Sequence, residues 1–392
     1  MDKDLVQIIE NMEKDLWNLA HTIHSYHEIK FEEYRSSDAL CTWLDAQDFE
    51  VEKPVGGLET AFAAFKTLGT GGPTLAFLAE YDALPEIGHA CGHNLIATMS
   101  AGAGVALGLW LAQHNVPGQI AIIGCPAEEG GGGKISLLEA GVFKGVDAAL
   151  MLHPAAFDEV RPEYLAREGI DIEFVGRAAH AAAAPQYGFN ALDAVVTFYQ
   201  MVNSLRQRLF AQERLHGIIT HGGDSPNVIP EHTSARFLVR SDRNDRVETL
   251  LTDVLTAAKS AAEGTGCQMS WRRFVPRYET MRHNPVLSRI ADGIYPLWGR
   301  TPNAVAQPHG STDMGNVSRF MPSLHANIGL GQDLVAHTRA FCTAADSHAG
   351  FEAMRDGAGI LAGIGARLAD NPQLVEEAWV AWNEETQQGG DQ

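Results

Sequence analysis

The chain has 392 residues, 45% of them hydrophobic and 20% charged, which suits a soluble globular enzyme of two domains and excludes disordered and fibrous classes. With 29 Lys and Arg against 49 Asp and Glu, its formal charge of -20 would be repelled by nucleic acid and by an anionic membrane surface, so neither is an expected partner. The start Met1-Asp2-Lys3-Asp4-Leu5 lacks the basic and apolar pattern of a secretory signal, and the five cysteines have no paired spacing, so reduced thiols and a cytoplasmic location are expected.

In chain order, a first helix carries His21, His24 and His27, read as surface residues. Three short apolar runs, 74–79, 119–124 and 148–152, then read as buried parallel strands. Each runs into side chains of site type: Glu80 and Asp82 after the first, Glu128 and Glu129 after the second, His153 after the third. Ligands in open α/β sheets lie beyond the carboxyl ends of strands, so these groups are expected to converge. Between the first two strands, the Ala/Gly-rich stretch 95–112 reads as a tightly buried helix rather than a bilayer span, capped by Asn94, with Cys91 and His93 in the loop before it.

The pattern changes near residue 165. Ile170, Ile172 and Phe174 alternate with polar residues, as do Ala235, Phe237 and Val239, which marks a sheet covered on one side. Helices at 190–209 and 246–263 and strands near 217–220 and 267–275 complete a βαββαβ order, the ferredoxin-like plan. After Arg282 the chain turns helical, a last strand falls near 323–331, and the polar tail 384–392 is expected to fray. The expected architecture is α/β: a first domain of residues 1–165 and 283–392 with a mixed, largely parallel sheet flanked by helices, and an inserted ferredoxin-like domain of residues 166–282.

The densest chemistry lies in His89-Ala-Cys-Gly-His93, followed by Glu128-Glu129, His153 and His337. Thiolate, imidazole and carboxylate are the ligand types of zinc-like ions, and an acid beside a ligating one can deprotonate a water held by the metal. A lone histidine is more often structural; it is the conjunction that indicates a metal-dependent hydrolase. Gly92 lets the backbone bend so that Cys91 and His93 face one cavity. Glu128 and Glu129 would point to opposite sides of an extended segment, one toward metal and one toward substrate, the alternative being a solvated acidic loop. Gly130 to Gly133 with Lys134 do not make a phosphate loop, because the upstream glycine is missing and Ile135 stands where Ser or Thr is required.

The motifs Ala79-Glu-Tyr-Asp-Ala-Leu-Pro85, His89-Ala-Cys-Gly-His-Asn94, Pro126-Ala-Glu-Glu129, His180-Ala-Ala-Ala-Ala-Pro185, Asn227-Val-Ile-Pro230 and His337-Thr-Arg, in this order, resemble the aminoacylase and carboxypeptidase-type metallopeptidases. Within them the chain is similar to the amidohydrolase branch. Asn94 and the run Gly310-Ser-Thr-Asp-Met-Gly-Asn316 are most similar to its subgroup of aminobenzoyl-glutamate hydrolases and β-alanyl-lysine dipeptidases. The resemblance implies two divalent ions per subunit, bridged by Cys91, with His93 and His153 on one and Glu129 and His337 on the other. A thiolate favours zinc, while imidazole and carboxylate also accept manganese, cobalt or nickel. Glu128 is implied as the general base and Asp82 as the acid that orients a ligand. Glu80 stands where the wider family often has a ligating histidine, so its contact with metal is left open.

In the inserted domain, which the resemblance makes a lid and homodimer interface, His180 is implied as an oxyanion donor to the partner subunit, assisted by Asn227. Arg240 is either an arginine that grips a substrate carboxylate or a strand-surface salt bridge, and Gly310, Ser311 and Thr312 are read as further carboxylate contacts. His309 and His325 lie nearby, but the ligand set is complete without them. The expected activity is hydrolysis of the amide of an N-acyl amino acid, dipeptide or aryl-amino-acid conjugate with a free carboxylate. The competing readings are a hydrolytic deaminase of a small aromatic or amidine-like substrate and a catalytically silent binding or regulatory subunit.

Overall fold

The structure, a computed structural model, describes residues 3–303 and 310–388. It divides into two units, Met1–Glu163 with Met281–Gln392, and Tyr164–Thr280. Both ends of the insertion lie two residues before the 166–282 expected from the change in patterning.

The first unit begins with helices α1 (Lys3–Tyr26) and α2 (Tyr34–Asp45), strands β1 (Glu50–Glu52), β2 (Phe62–Leu68) and β3 (Thr74–Glu80), and helix α3 (His93–His114). Strand β4 (Gly118–Cys125), helix α4 (Gly133–Glu139) and strand β5 (Ala148–Ala155) follow. The second unit is β6 (Ala166–Val175), α5 (Ala191–Leu205), β7 (Arg214–His221), β8 (His232–Ser241), α6 (Asn244–Thr265) and β9 (Gln268–Arg273). The chain then completes the first unit with α7 (Pro285–Ile294), α8 (Met314–Ser318), β10 (Ser323–Gly329), α9 (Arg339–Ala345), α10 (His348–Asp370) and α11 (Gln373–Gln388). Residues 384–388 of the expected frayed tail therefore continue a helix, and residues 389–392 lie outside the described residues.

The six strands of the first unit run in the order β1-β2-β4-β3-β5-β10. Strands β4, β3, β5 and β10 are parallel, while β1 and β2 form an antiparallel edge that the sequence reading missed. Strands β3, β4 and β5 are buried along nearly their whole length, the state that a continuous apolar run requires. Helix α3 is long and apolar enough to cross a membrane by length and composition, but 89% of its most apolar stretch is buried inside the unit. Its small residues explain this. A Cβ at Gly104 would lie 2.6 Å from Ile122 of β4, and one at Gly102 would lie 2.7 Å from Leu16 of α1. Over residues 93–108 the helix is thus held between the sheet and a second helix layer, and has no polar face there because every side chain is buried; only Leu109 and the last three residues reach water.

Helix α3 is not capped by Asn94. Gly92, in the left-handed region at φ 76°, is the residue before the helix, and its carbonyl accepts the N–H groups of Leu95 and Ile96. His93 is therefore the first helical residue and only Cys91 lies in the loop; the Asn94 side chain instead donates to the carbonyls of Ala20 and Ala345.

In the second unit the sheet order β7-β8-β6-β9, antiparallel throughout, is the ferredoxin-like arrangement. One face of the sheet, with Ile170, Ile172, Phe174, Phe237 and Val239, packs with Phe198 of α5 and Val254 of α6 into a single core. Asn190 caps α5 by accepting the Leu192 N–H at 3.0 Å.

Candidate metal centre

The carboxyl ends of β3, β4 and β5 and the start of α3 bring the acid, imidazole and thiol groups together, as parallel-sheet geometry dictates. Cys91, His93 and His153 offer donor atoms within 4.8 Å of one another, as do Cys91, Glu129 and His337, so the thiol belongs to both triads. Glu80, His93 and Glu128 form a third such group.

Each imidazole is aimed by a partner on its other nitrogen or through its backbone. His93 Nδ1–H donates to Asp82 Oδ1 at 2.9 Å, leaving Nε2 toward the cluster. His153 Nδ1–H donates to the Pro154 carbonyl at 2.7 Å, leaving Nε2 at 3.6 Å from Cys91 Sγ. His337, at φ 63°, is tied through its backbone N–H to Ala90 O, one residue from Cys91, and its Nε2 lies 3.2 Å from Glu129 Oε1. A side chain at Gly92 would run into Pro154, its Cβ 2.9 Å from Cγ, so glycine is required there on both counts.

Glu128 and Glu129 lie in a turn rather than in the extended segment expected, after Ala127 at φ 60°. Their roles still separate, because the turn sends Glu129 to the group with Cys91 and Glu128 to the group with Glu80. Asp82 serves both sides of the centre, its Oδ2 accepting the Glu129 backbone N–H at 2.9 Å. It is a positioning residue.

Electrostatically the cluster calls for positive charge. Burial disfavours the His93 imidazolium, but the Asp82 and Glu80 carboxylates outweigh it and hold that pKa well above its ordinary value. Burial and the neighbouring Glu129 push the Cys91 thiol far up, whereas burial brings His153 down to about 4, leaving a neutral ring. Glu129 is held below the usual carboxylate range because, against burial, the His337 imidazole and the His93 charge favour its anion. Among the buried atoms, His93 Nε2 lies 3.4 Å from Glu80 Oε2, and Glu129 Oε1 lies 3.2 Å from His337 Nε2. Buried imidazole and carboxylate atoms facing one another around one thiol fit two divalent ions.

Glu80 has a second partner that the sequence reading missed. Lys134 Nζ, fully buried at the start of α4, lies 2.5 Å from Glu80 Oε1 and 2.6 Å from Asp313 Oδ1, while Asp313 Oδ2 accepts the Lys134 backbone N–H. Only Lys134 following a glycine run hinted at this, since lysine is seldom buried without a partner. Burial raises the Asp313 pKa despite the lysine, and Lys134 is held well above its ordinary value by both carboxylates against the cost of burial.

Glu33 was missed as well. Its Oε1 accepts the Ala127 and Phe31 N–H groups, each at 2.9 Å, and its Oε2 accepts the Thr60 hydroxyl at 2.8 Å, so a fully buried carboxyl clamps the left-handed residue that precedes Glu128. Glu33→Ala orphans a buried N–H, a cost of about 1–3 kcal/mol, and is expected to lower kcat by about 10–100-fold through displacement of the turn. Burial, with the Asp82 charge, raises Glu33 to about 7. A folded pKa above the unfolded one contributes stability that is complete below about 4.5 and disappears as pH rises through about 7. Glu33→Gln, which mimics the protonated acid, is therefore expected to keep most activity and to flatten the stability profile between those pH values in denaturant titrations.

Among the remaining candidates, His325 is buried with its ring 5.8 Å from that of His153, and His309 lies outside the described residues. His21 is exposed against Asp346, but His24 is not a surface residue: it packs on His89 and meets the Cys342 carbonyl at 3.0 Å. Gly310 is exposed, Ser311 half-buried and Thr312 buried, its hydroxyl accepting the Met314 N–H at 3.2 Å.

In the second unit, His180 pairs with Val228 as an isolated bridge, and the Ala181 N–H donates to Asn227 O, so His180 and Asn227 are neighbours. His180 Nδ1 accepts the N–H groups of Ala182 and Ala183 at 3.2 and 3.1 Å, which places the ring proton on Nε2 as an exposed donor. Arg240 of β8 stands in register with Arg167 of β6 and Arg214 of β7.

Residues 168–265 match the peptidase dimerisation domain family. The chain is 35% identical over 361 residues to Xaa-Arg dipeptidase of Mus musculus, covering 87% of this chain and 82% of that protein. It is 37% identical over 264 residues to one of the subunits of p-aminobenzoyl-glutamate hydrolase from Escherichia coli strain K12, covering 62% and 54%. A dinuclear metal-binding peptidase of the M20 family from Bacillus subtilis shares the fold with a TM-score of 0.68 at 21% identity, over 91% of this chain and 99% of that one. An aminobenzoyl-glutamate utilization protein from Klebsiella pneumoniae shares it with a TM-score of 0.72 at 17% identity, over 93% and 98%. By its extended identity to a full-length dipeptidase and its dimerisation domain, the chain belongs to the M20 family of metallopeptidases and amidohydrolases.

Proposed function

We propose that the protein hydrolyses the amide bond of an N-acyl amino acid, dipeptide or aryl-amino-acid conjugate bearing a free carboxylate, using two divalent ions, with zinc the native metal. The observation that carries this reading is the thiol of Cys91 shared between two donor triads, with Glu128 beside them. Two ions held there supply Lewis acidity to the scissile carbonyl and acidify a water. In this reading His93 and His153 hold one ion, Glu129 and His337 the other.

Glu128 takes the proton of the attacking water and returns it to the departing amine nitrogen. In the metal-free cluster, burial, followed by the charges of Glu80 and Glu129, raises its pKa well above the usual carboxylate range. Through Nε2–H, His180 donates to the oxyanion in the partner subunit of a homodimer formed by the second unit, with Asn227 alongside. In the second unit Arg240 is the group proposed to grip a substrate carboxylate, and in the first Gly310 and Ser311 are proposed carboxylate contacts.

The test is mass-spectrometric screening of the zinc- or manganese-reconstituted protein against a panel of N-acyl amino acids, dipeptides and aryl-amino-acid conjugates. Release of the free amino acid from at least one class is expected. Release of ammonia instead, or no turnover across the panel, would overturn the reading.

A further inference from the structure

The loop that follows α1 runs to the carboxyl edge of the first unit's sheet. Ile29 pairs with Ala83 as an isolated parallel bridge, and the Ala83 N–H donates to the Glu28 carbonyl at 2.7 Å, which sets the loop beside Asp82. Two residues on, Phe31 has the backbone of a glycine. Its φ of 63° lies in the left-handed region, where a bulky side chain is a rare outlier. A single oxygen, Glu33 Oε1, accepts both the Phe31 and the Ala127 N–H groups at 2.9 Å, so one buried carboxyl fixes two left-handed residues.

Those bonds lay Phe31 on the turn that carries Glu128 and Glu129. A Cβ at Gly131 would lie 2.7 Å from Phe31 Cε2 and 2.5 Å from the Ala127 Cβ, so ring and turn meet over that glycine. Yet Phe31 is 41% exposed, whereas Phe62 and Phe77, which belong to the sheet, are fully buried. Core packing therefore does not account for a strained phenylalanine here. Backbone strain that neighbouring hydrogen bonds hold in place concentrates at ligand clamps, and a half-exposed ring is a surface on which another ring can pack. The donor groups of the centre are imidazole, carboxylate and thiol, and Phe31 supplies apolar surface beside them.

We propose that Phe31 is a specificity residue, whose exposed ring packs against an aromatic group carried next to the scissile amide. This rests on the amidohydrolase reading above and names the substrate feature that the first unit selects within it. Acyl-side and amine-side rings share this chemistry, and the arms of the experiment separate them.

Kinetics on the metal-loaded enzyme compare N-benzoyl-alanine, with its ring on the acyl side, N-acetyl-phenylalanine, with its ring on the amine side, and N-acetyl-alanine. The wild type is expected to favour one of the two aromatic conjugates over N-acetyl-alanine by tenfold or more in kcat/KM. Phe31→Gly and Phe31→Asn, both residues at home at positive φ, are expected to erase that preference through KM rather than kcat and to affect N-acetyl-alanine least, while Phe31→Tyr retains it. A wild type that handles all three alike, a preference that survives in Phe31→Gly and Phe31→Asn, or an equal loss on every conjugate would overturn the proposal. If no conjugate is hydrolysed, the amidohydrolase reading fails, and calorimetric binding of the same three compounds still decides the subsite: ring-selective binding lost in Phe31→Gly upholds it, and unselective binding overturns it.

Discussion

Glu128→Gln is expected to keep both metal ions and to lose about 10²–10⁴-fold in kcat, the range that a positioned proton-transfer group contributes. The substitution preserves size in a site where Glu128 is buried, so packing should survive. What it removes is a carboxyl group that adjoins both triads and belongs to neither Cys91-centred set. In the metal-free cluster, burial and the negative charges of Glu80, Glu129 and Asp313 all favour its protonated form. Metal analysis and steady-state kinetics on one preparation decide the matter. Loss of an ion along with activity would make Glu128 a ligand, and unimpaired turnover would remove it from the mechanism.

Lys134→Met is expected to cost about 3–5 kcal/mol of stability, the penalty for stripping a buried charge of its partner. Both neighbours, Glu80 and Asp313, are fully buried, and the ammonium is the cation they share. With it gone, two carboxylates would face each other in a low-dielectric interior and bind protons. Their folded pKa values would then stand above the unfolded ones, so the variant should be most stable at low pH and lose stability as pH rises through those raised values. Adding Asp313→Asn should return much of the loss while still accepting the backbone N–H of residue 134. Thermal unfolding of the single and double variants across pH measures this; a single variant as stable as the parent at neutral pH would show that the triad is not a charge balance.

How much of this was legible in the sequence follows from how local each signal is. Strands β3, β4 and β5 were visible because strands buried on both faces must be apolar along their length, and the residues at their carboxyl ends follow directly. The second unit was visible through alternation, since Ile170, Ile172 and Phe174 show a sheet with one covered face. Strand β2 escaped because Phe62-Ala-Ala-Phe-Lys-Thr-Leu68 is buried only in its first half. The Asn94 cap was misread because a left-handed glycine starts α3 as well as a polar cap does, and a sequence does not print φ. Glu33 and Lys134 were missed for a deeper reason: each acts through partners 94 and 179 residues away, a proximity created only when the sheet is assembled.

The central claim is that one thiol serves two ions, and metal stoichiometry by mass spectrometry on single-site variants tests it most directly. The parent should carry two divalent ions per chain. His153→Ala and His337→Ala should each retain one, and Cys91→Ala should lose both or bind them far more weakly. A Cys91→Ala protein that still holds two ions as tightly as the parent, or a parent that holds only one, would contradict the account.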